Sequence, residues 1–426
     1  MRFSTTRAMR LGAAVALASV LLAACGGGGG NTASSSGSGS AVKLSGPPIK
    51  LGSILTITNP AWDNSSTKVV NEAWSRHINE DLGGVNGRPV EVHTCDDRGD
   101  PAGTTQCLNN LIDAGVVGFV NNSSLSFGAN ALPAMDQQGF VNIGGWPITP
   151  AEFGSAAEHP TTPGASGSYP SLVVYARSTG AKKLAVVCTN TPAGQGVCDS
   201  MKKLWSTIGG TDYFSTLFDP TAPDYTPVMS QVAGQKPDAV VLAVGEGPAP
   251  RMFQAVKLSG LNAKIMATST AATDNVFKAA GDSANGTYFS FAAVPSDYSN
   301  NDAKTYRDVM AKYATKQGLT NATAVAASSM QYAYTVLKSI QGDVTKDSIK
   351  TALQSNQSWP GFLTHAMDPK FAAKTMPAIT NPYNLVAQYN NGKFKPETVS
   401  NPGDLKPYLD VQGSLAWIAG TPVGTS

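Results

Sequence analysis

Short apolar segments rich in β-branched residues alternate along the chain with longer segments whose apolar residues recur at helical spacing. Residues 49–56 (IKLGSILT) predict a buried strand, and residues 65–84 predict a helix with Val70, Ala73 and Trp74 on one face. The alternation continues to residue 145. It predicts further strands at residues 88–95, 116–120 and 140–145 and further helices at residues 100–115 and 127–139.

The alternation begins again after a stretch rich in Pro, Gly and Ser, residues 160–169. Here it predicts strands at residues 182–188, 211–218, 237–247, 263–269 and 285–291, and helices at residues 196–210, 226–235 and 250–260. Strands that alternate with helices are typical of a parallel sheet covered on both faces. The sequence therefore predicts two α/β lobes, each with a sheet of about four or five strands.

The C-terminal third of the chain is mainly helical in character. Its patterns predict helices at residues 301–318, 324–342 and 345–355. A late β-hairpin is expected at residues 384–394, with Asn390, Asn391 and Gly392 as its turn. The helices need a sheet to cover, so we expect them to pack on one of the two lobes.

The N-terminus follows a different pattern. Arg2, Arg7 and Arg10 precede an apolar run, residues 11–22, that is shorter than the roughly 20 residues needed to cross a bilayer. This arrangement is typical of an export signal. Its last four residues, Leu22-Ala23-Ala24-Cys25, resemble the bacterial lipobox, which implies cleavage before Cys25 and acylation of its thiol and amine. The alternative is an ordinary secretory signal cut near Ala24.

We therefore predict a lipoprotein signal peptide over residues 1–24. Residues 25–48 would be a lipidated Cys25 followed by a flexible tether, because Gly/Ser-rich segments behave as flexible coils. The expected location is outside the cytoplasm, with the protein anchored to the cell membrane by lipid on Cys25.

Four further cysteines fall into two local pairs. In an exported protein an even number of cysteines suggests disulfides, and we predict the bonds Cys95–Cys107 and Cys188–Cys198. The alternative is four free buried thiols. No metal site is predicted, since the sequence has no C-x₂-C pair and its 4 histidines are scattered.

Charge and motifs argue against several classes of function. The net charge is +2, and no basic cluster exists beyond the export signal, so nucleic acid is not expected as a partner. The chain has no G-x-S-x-G, G-x-G-x-x-G or phosphate-loop motif, which lowers the expectation of an enzyme. Asp96 and Asp97 follow a strand and are better interpreted as solvated carboxylates or helix caps than as metal ligands. No cofactor is predicted.

The predicted architecture offers a cleft instead. Open α/β sheets bind ligands beyond the carboxyl ends of their strands, close to helix N-termini. The third predicted strand ends in residues 121–124 (NNSS), whose short polar side chains suit either helix capping or hydrogen bonds to a ligand.

The order of these parts resembles the branched-chain amino acid (Leu/Ile/Val) type of periplasmic binding protein of ABC transporters. The resemblance is carried by the lipobox, the tether, the strand at residues 49–56 and residues 79–101 (NEDLGGVNGRPVEVHTCDDRGDP), and it extends over nearly all of residues 49–400. It implies an α/β fold of type I, with two doubly wound, Rossmann-like lobes joined by three crossover hinge segments. The expected limits are residues 49–165 with 293–370 for the N-terminal lobe and residues 166–292 with 371–426 for the C-terminal lobe.

The resemblance also implies a ligand site in the cleft between the lobes. The residues expected to bind the ligand are Trp62, Asn122, Ser123, Ser124, Gly145, Trp146, Ile148, Ala193, Glu246 and Ser269. Ser269 stands where the family has an acid that pairs with a ligand ammonium, so a branched-chain amino acid would fit only if Glu246 supplied the counter-charge instead. Trp62 and Trp146 suggest a flat or apolar ligand, such as an aromatic or aliphatic acid.

The function that the resemblance implies is that of a substrate-binding lipoprotein of an ABC importer. Such a protein is a non-enzymatic monomer that captures a small amino-acid-like or carboxylic-acid solute by hinge closure and delivers it to a membrane permease. Two alternatives remain open: a ligand-sensing lipoprotein that serves a membrane receptor, and a secreted α/β hydrolase. The hydrolase would need a nucleophile paired with a base, and the sequence offers no candidate pair.

Overall fold

The computed structural model describes residues 44–59, 63–372, 376–396 and 408–410. The predicted signal peptide, Cys25 and most of the predicted tether lie outside these residues. The described chain forms two β-sheets with helices packed against them. No helix among the described residues is long and apolar enough to cross a membrane.

The first sheet contains the first five strands of the chain in the order β2-β1-β3-β4-β5, and its strands pair in parallel. The strands are β1 (Ile49–Leu55), β2 (Val90–Asp96), β3 (Gly118–Val120), β4 (Asn142–Ile143) and β5 (Glu158–His159). The helices between them are α1 (Ser65–Arg76), α2 (Pro101–Asp113), α3 (Phe127–Asn130), α4 (Leu132–Gln137) and α5 (Pro150–Gly154), and a π-helical turn (His77–Asp81) continues α1. Except for β5 and α5, each element lies within a predicted segment or, in the case of β2, extends one residue beyond it.

The first lobe departs from its prediction in two places. The single helix predicted at residues 127–139 is two short helices, α3 and α4, because Pro133 cannot donate the backbone hydrogen bond that a continuous helix needs. The fifth strand, β5, was not predicted. It has only two residues, too few to show an alternating pattern.

The second sheet has eight strands, more than the sequence predicted. The strands are β6 (Lys183–Thr189), β7 (Asp212–Phe218), β8 (Ala239–Ala243), β9 (Lys264–Thr268), β10 (Tyr288–Phe291), β11 (Tyr383–Asn390), β12 (Lys393–Pro396) and β13 (Tyr408–Asp410). The order is β12-β11-β10-β9-β8-β6-β7, and β13 pairs with β11. The strands β7, β6, β8, β9 and β10 run parallel, and the predicted hairpin β11–β12 adds antiparallel strands at the β10 edge.

The helices of the second lobe include two that the sequence did not predict. Among the described residues these helices are α6 (Ala165–Ser178), α7 (Pro192–Thr207), α8 (Thr226–Gly234), α9 (Ala249–Leu258) and α10 (Asp274–Ala280). Both α6 and α10 are additions, and α6 begins inside the stretch interpreted as a boundary between lobes. Its Gly167, Pro170 and Ser171 are buried, and the helix contacts β9, β10 and β11. Gly, Pro and Ser are typical of loops. Here the small side chains of Gly167 and Ser171 let the helix pack closely on the sheet.

The three C-terminal helices return to the first lobe. They are α11 (Asn301–Tyr313), α12 (Asn321–Ser339) and α13 (Lys346–Leu353), and α12 contacts α1, β3 and β4. The chain therefore passes between the lobes three times: from β5 to α6, from β10 to α11, and from α13 to β11. This is the predicted type I architecture. The exact residue limits given above for the two lobes stay predictions.

Each lobe contains one disulfide, and both are the predicted pairs. Cys95 of β2 is bonded to Cys107 of α2 with a Cα–Cα distance of 5.6 Å, and Cys188 of β6 is bonded to Cys198 of α7 with a Cα–Cα distance of 6.2 Å. In both lobes the bond joins a strand to the helix that follows it, so it fixes one strand–helix unit against unfolding.

Candidate ligand-binding site

A cavity of about 520 Å³ lies between the two lobes, at the carboxyl ends of their strands. From the first lobe it is lined by Asp63, Asn64, Thr67, Asn121, Ser123, Gly145, Trp146, Thr320, Asn321, Ala322, Val325 and Ala326. From the second lobe it is lined by Ser168, Glu246, Thr268, Ser269, Thr270 and Thr273. Most of these residues are polar and small, so the cavity offers many hydrogen-bonding groups around one large ring, that of Trp146.

The end of β3 is tied to the helices on both sides of it. Asn121 has a positive φ of 56°, which asparagine tolerates better than most residues. Its buried side chain is held by two hydrogen bonds, since Nδ2 donates to Asn71 Oδ1 at 2.8 Å and to the Ala326 carbonyl at 2.9 Å. The Asn64 amide also donates to the Ser123 carbonyl at 3.0 Å. The first-lobe wall is therefore held in place before any ligand arrives.

The loop after β4 presents the Trp146 ring to the cavity. Gly144 and Gly145 both have positive φ values, 74° and 90°. A side chain at Gly144 would collide with Ser329 of α12, and one at Gly145 would collide with the Asn122 carbonyl. Only glycine lets this loop approach so closely, and the approach places the half-buried Trp146 between the core and the cavity.

The beginnings of α1 and α12 complete the first-lobe wall. Asp63 precedes α1, and its Oδ1 accepts a hydrogen bond from the Ser65 backbone N–H at 2.7 Å. At the start of α12, Asn321 Oδ1 accepts from the backbone N–H groups of Ala292 and Ala293, at 3.1 and 3.2 Å. Those two alanines belong to the second crossover, so Asn321 joins the cavity wall to a connection between the lobes.

The second-lobe wall is more open. Glu246 follows β8, and its Oε1 accepts from Thr273 Oγ1 at 3.0 Å and from Asn275 Nδ2 at 3.3 Å. Its side chain is exposed. Ser269 and Thr270 lie in a 3₁₀ turn after β9 (Ser269–Ala271), and Thr270 shares a hydrogen bond of 2.7 Å with Thr268.

Five of the ten residues predicted to bind a ligand line this cavity. They are Ser123, Gly145, Trp146, Glu246 and Ser269. Trp62 lies outside the described residues, and Ala193 lies in the first turn of α7, where its side chain is not described.

Three predicted residues do not line the cavity and have structural contacts instead. Asn122 Oδ1 accepts from the Ile54 backbone N–H at 2.8 Å, so this side chain links β1 to the end of β3. Ser124 donates from its hydroxyl to the buried carboxylate of Asp97. The Ile148 backbone N–H donates to Glu152 Oε2 at 3.3 Å, within the cap of α5.

The sequence analysis missed the contribution of two helix N-termini, and of the residues around the turn after β9 it predicted only Ser269. The cavity residues that the sequence analysis did not name are Asp63, Asn64, Thr67, Ser168, Thr268, Thr270, Thr273, Thr320, Asn321, Ala322, Val325 and Ala326. Asn121 was named only as one of the strand-end residues 121–124. Thr320 caps α12 through a bond from the Thr323 N–H, a pattern that marks a helix start but gives no information on which cleft the helix faces. The second crossing, from β10 to α11, brings α12 beside residues some 200 positions earlier, such as Asn121.

The charges around the cavity are of one sign. Among its described lining residues, Asp63 and Glu246 are the charged side chains, and none is Lys, Arg or His. No group of three or more potential metal ligands occurs among the described residues. The cavity therefore combines negative charge with neutral hydroxyl and amide groups.

A buried acid, Glu158, and a half-buried histidine, His159, whose ring nitrogen Nε2 is buried, lie on β5. Burial raises the pKa of Glu158 well above its usual range, although a hydrogen bond from Asn142 Nδ2 at 3.0 Å opposes this shift. Burial lowers the pKa of His159 to about 4. Burial also raises the pKa of Glu152, while bonds from Thr149 oppose the shift. These groups stabilise the strand β4 and the segment that follows it, and they do not line the cavity.

Comparison with protein families gives one match, which extends over residues 48–392. The matching family model is described as periplasmic binding protein. No curated protein sequence matches the chain.

Solved structures of similar fold cover more than four fifths of the chain. A leucine-binding protein from Thermotoga maritima is 18% identical, with a TM-score of 0.62 and coverage of 84% of this chain and 100% of that one. A fatty acid ABC transporter substrate-binding protein from Thermomonospora curvata is 17% identical, with a TM-score of 0.63 and coverage of 82% and 90%. A solute-binding protein from R. palustris in complex with 4-hydroxybenzoate is 18% identical, with a TM-score of 0.61 and coverage of 82% and 95%. At these identities the likeness establishes the fold, and the ligands after which the three proteins are described differ in kind.

Proposed function

The chain belongs to the periplasmic binding protein family, and from this premise we propose that it is the substrate-binding lipoprotein of an ABC importer. The observation that carries the proposal is the cavity of about 520 Å³ whose lining comes from both lobes. A solute that touches both walls binds the closed form more tightly than the open form, and this difference in affinity drives closure. The closed form is what a membrane permease would recognise.

The two walls have different parts in this mechanism. The first-lobe wall, tied by Asn121 and Asn64, is already ordered and offers a fixed surface to the incoming solute. The second-lobe wall, with Glu246 and Ser269, completes the contacts when the lobes close. No step requires bond making or breaking in the solute.

A thermal-shift screen of amino acids, carboxylic acids, amines and small amides tests the capture of a solute. A ligand at 100 times its Kd stabilises the protein by about 2.7 kcal/mol, which is readily measured. The variant Ser269→Trp places a bulky ring in the cavity and should abolish the shift. The matched variant Ser206→Trp, at an exposed position of α7, should keep it. Equal shifts in both variants would show that the solute binds elsewhere.

The lipid anchor is the second part of the proposal and rests on the sequence Leu22-Ala23-Ala24-Cys25. Mass spectrometry of the protein from the membrane fraction should find acyl chains on Cys25, and Cys25→Ser should release the protein to the medium or the periplasm. An unmodified Cys25 in membrane-bound protein would contradict the anchor and leave the proposal on solute capture unaffected.

A further inference from the structure

Two carboxylates face the cavity from opposite lobes. Asp63 uses Oδ1 to accept a bond from the start of α1, and Glu246 uses Oε1 to accept two bonds from the second lobe. Neither forms an ion pair with a cation among the described residues. Both side chains are exposed, so the second oxygen of each carboxylate is available to a ligand.

Closure of the lobes would make this arrangement costly unless the ligand supplied a counter-charge. A carboxylate withdrawn from water without a partner costs several kcal/mol. The described cavity lining has no Lys, Arg or His that could serve as that partner. A solute that stabilises the closed form should therefore bring a positive charge between Asp63 and Glu246.

The first-lobe strand ends offer little to a ligand carboxylate. The backbone N–H groups that point along this edge are already used: Ser123 donates to the Ile54 carbonyl at 3.1 Å, Gly145 to Ser329 Oγ at 3.1 Å, and Trp146 to the Asn122 carbonyl at 3.3 Å. The start of α12 is the remaining group on this wall that could attract a ligand carboxylate, because a helix N-terminus carries about half a positive charge. That partial charge suits a hydroxyl or amide oxygen of the ligand and does not balance two carboxylates.

The Trp146 ring adds a surface that favours a cation. Its indole lies in the cavity lining and packs against the core on its other side, so its position is fixed. A cation over an indole face is attracted by the negative charge of the ring face, and the attraction is stronger when water is excluded. The walls around it supply hydroxyl groups from Ser269, Thr270 and Thr320, which suit the N–H groups of an amine or guanidine.

From these observations we propose that the solute is an organic cation with a net positive charge, an amine or a guanidine, whose charged nitrogen lies between Asp63 and Glu246 beside Trp146. This inference rests on the proposed function and narrows it, because it excludes a simple carboxylic acid. It assigns charge selection to Asp63 and Glu246, one carboxylate from each lobe.

The test is calorimetric titration of the full-length protein with compounds that share a skeleton and differ in charge. One series has five carbons: 1,5-diaminopentane, 5-aminopentan-1-ol, pentane-1,5-diol, 5-aminopentanoate and glutarate. Two further sets are benzylamine with benzyl alcohol and benzoate, and arginine with citrulline. In the set that binds, the cation should bind at least about tenfold more tightly than its neutral, zwitterionic or anionic partner, which corresponds to about 1.4 kcal/mol.

Isosteric variants then assign the charge selection to residues. Glu246→Gln and Asp63→Asn keep the oxygen that accepts each structural hydrogen bond, so the fold should be unchanged, and each should weaken cation binding about tenfold. The controls Glu72→Gln and Asp113→Asn remove exposed carboxylates on α1 and α2 outside the cavity lining and should leave the affinity unchanged.

The outcomes separate this inference from the proposed function. Tight binding of glutarate, benzoate, 5-aminopentanoate or a neutral partner, or a cation affinity that Glu246→Gln and Asp63→Asn do not change, would overturn the charge inference and leave solute capture intact. Binding by no compound of any charge class, here or in the wider screen, would count against solute capture itself, and the charge inference would fail with it.

Discussion

The two walls of the cavity use polar residues in different ways. Behind the first-lobe wall, four polar residues that follow strands are buried and bonded to other groups of the protein: Asp97, Asn121, Asn122 and Ser124 are each at most 2% exposed. In the second lobe Glu246 and Thr270 are exposed, and Ser269 is half-buried. The polar groups behind the first-lobe wall are mostly used in bonds within the protein, with Asn122 Nδ2 as a buried exception among the described residues. Glu246 of the second-lobe wall keeps a carboxylate oxygen that can bond to a ligand.

This difference shows why a polar residue after a strand is a poor indicator of ligand contact by itself. Asp97 accepts bonds from the hydroxyls of Thr56, Thr104 and Ser124 and from the Gly99 backbone N–H. It therefore holds the ends of β1, β2 and β3 in register and has no contact with the cavity. Glu246 has fewer bonds and lines the cavity directly.

The largest effect on stability is expected from removing the centre of the first-lobe network. Asp97→Ala leaves buried hydroxyl and N–H donors without their acceptor and should lower the free energy of unfolding by about 3–5 kcal/mol. Glu246→Ala in the second-lobe wall should change it by no more than about 0.5 kcal/mol, because the side chain is exposed. Urea denaturation of both variants measures the contrast. Equal losses would show that the two walls are not different in kind.

The disulfides should give a similar effect in both lobes. They join residues 12 and 10 positions apart, and the loop-entropy relation gives about 3 kcal/mol for loops of this size. Replacing either pair by alanines should therefore lower the free energy of unfolding by about that amount. Denaturation of the two double variants measures it, and a loss confined to one lobe would contradict the expectation.

The rates of reduction should differ where the stabilities do not. Cys188 and Cys198 are 0% and 1% exposed, whereas Cys95 is half-buried. A reductant should therefore cleave Cys95–Cys107 first in the folded protein, and the difference should disappear in denaturant. Alkylation followed by mass spectrometry over time resolves the order.

The smallest effect concerns the pH dependence of the first lobe. Burial lowers the pKa of His159 to about 4, so between its ordinary pKa of 6.5 and pH 4 the unfolded chain binds a proton that the folded chain does not. The stability present above pH 6.5 is lost as the pH falls through this window. Between pH 6.5 and pH 5 the loss from this group is about 2 kcal/mol, since one pKa unit corresponds to about 1.4 kcal/mol.

His159→Gln should reduce this acid sensitivity, which urea denaturation at pH 7 and pH 5 can measure. Glu158→Gln provides a control of opposite sign. Because burial raises the pKa of Glu158, the folded chain keeps a proton that the unfolded chain loses, and stability falls as the pH rises above the ordinary range of a carboxyl. The difference in unfolding free energy between Glu158→Gln and the wild-type protein should therefore shift in favour of the variant from pH 5 to pH 8. The same pH profile in both variants would contradict these assignments.

Elements with a long, regular pattern were predictable from the sequence, and short or atypical elements were not. The continuous apolar run of β1 and the Asp100–Pro101 start of α2 each have a direct local cause, and both appear as expected. The helix α6 was not predicted, because Gly167, Pro170 and Ser171 usually indicate a loop. Its stability comes from packing on β9, β10 and β11, which no local pattern encodes.

The candidate site was predictable where it follows a strand of its own lobe and unpredictable where a distant element contributes. Ser123, Gly145 and Ser269 follow β3, β4 and β9, and the geometry of parallel sheets places such residues at one edge. The start of α12, with Thr320 and Asn321, reaches the same cavity only because the chain crosses back to the first lobe after β10.

The sequence by itself determined the alternation of strands and helices, the two disulfides and the composition of the strand ends, because each depends on residues that are close along the chain. The tertiary structure decided which strand-end groups are consumed by other protein groups and which remain available. Asp97 and Glu246 are chemically alike, and their surroundings give one carboxylate several buried donors while leaving the other exposed at the cavity. The physical reason is that hydrogen-bond satisfaction depends on neighbours brought together by the fold, whatever their separation in sequence.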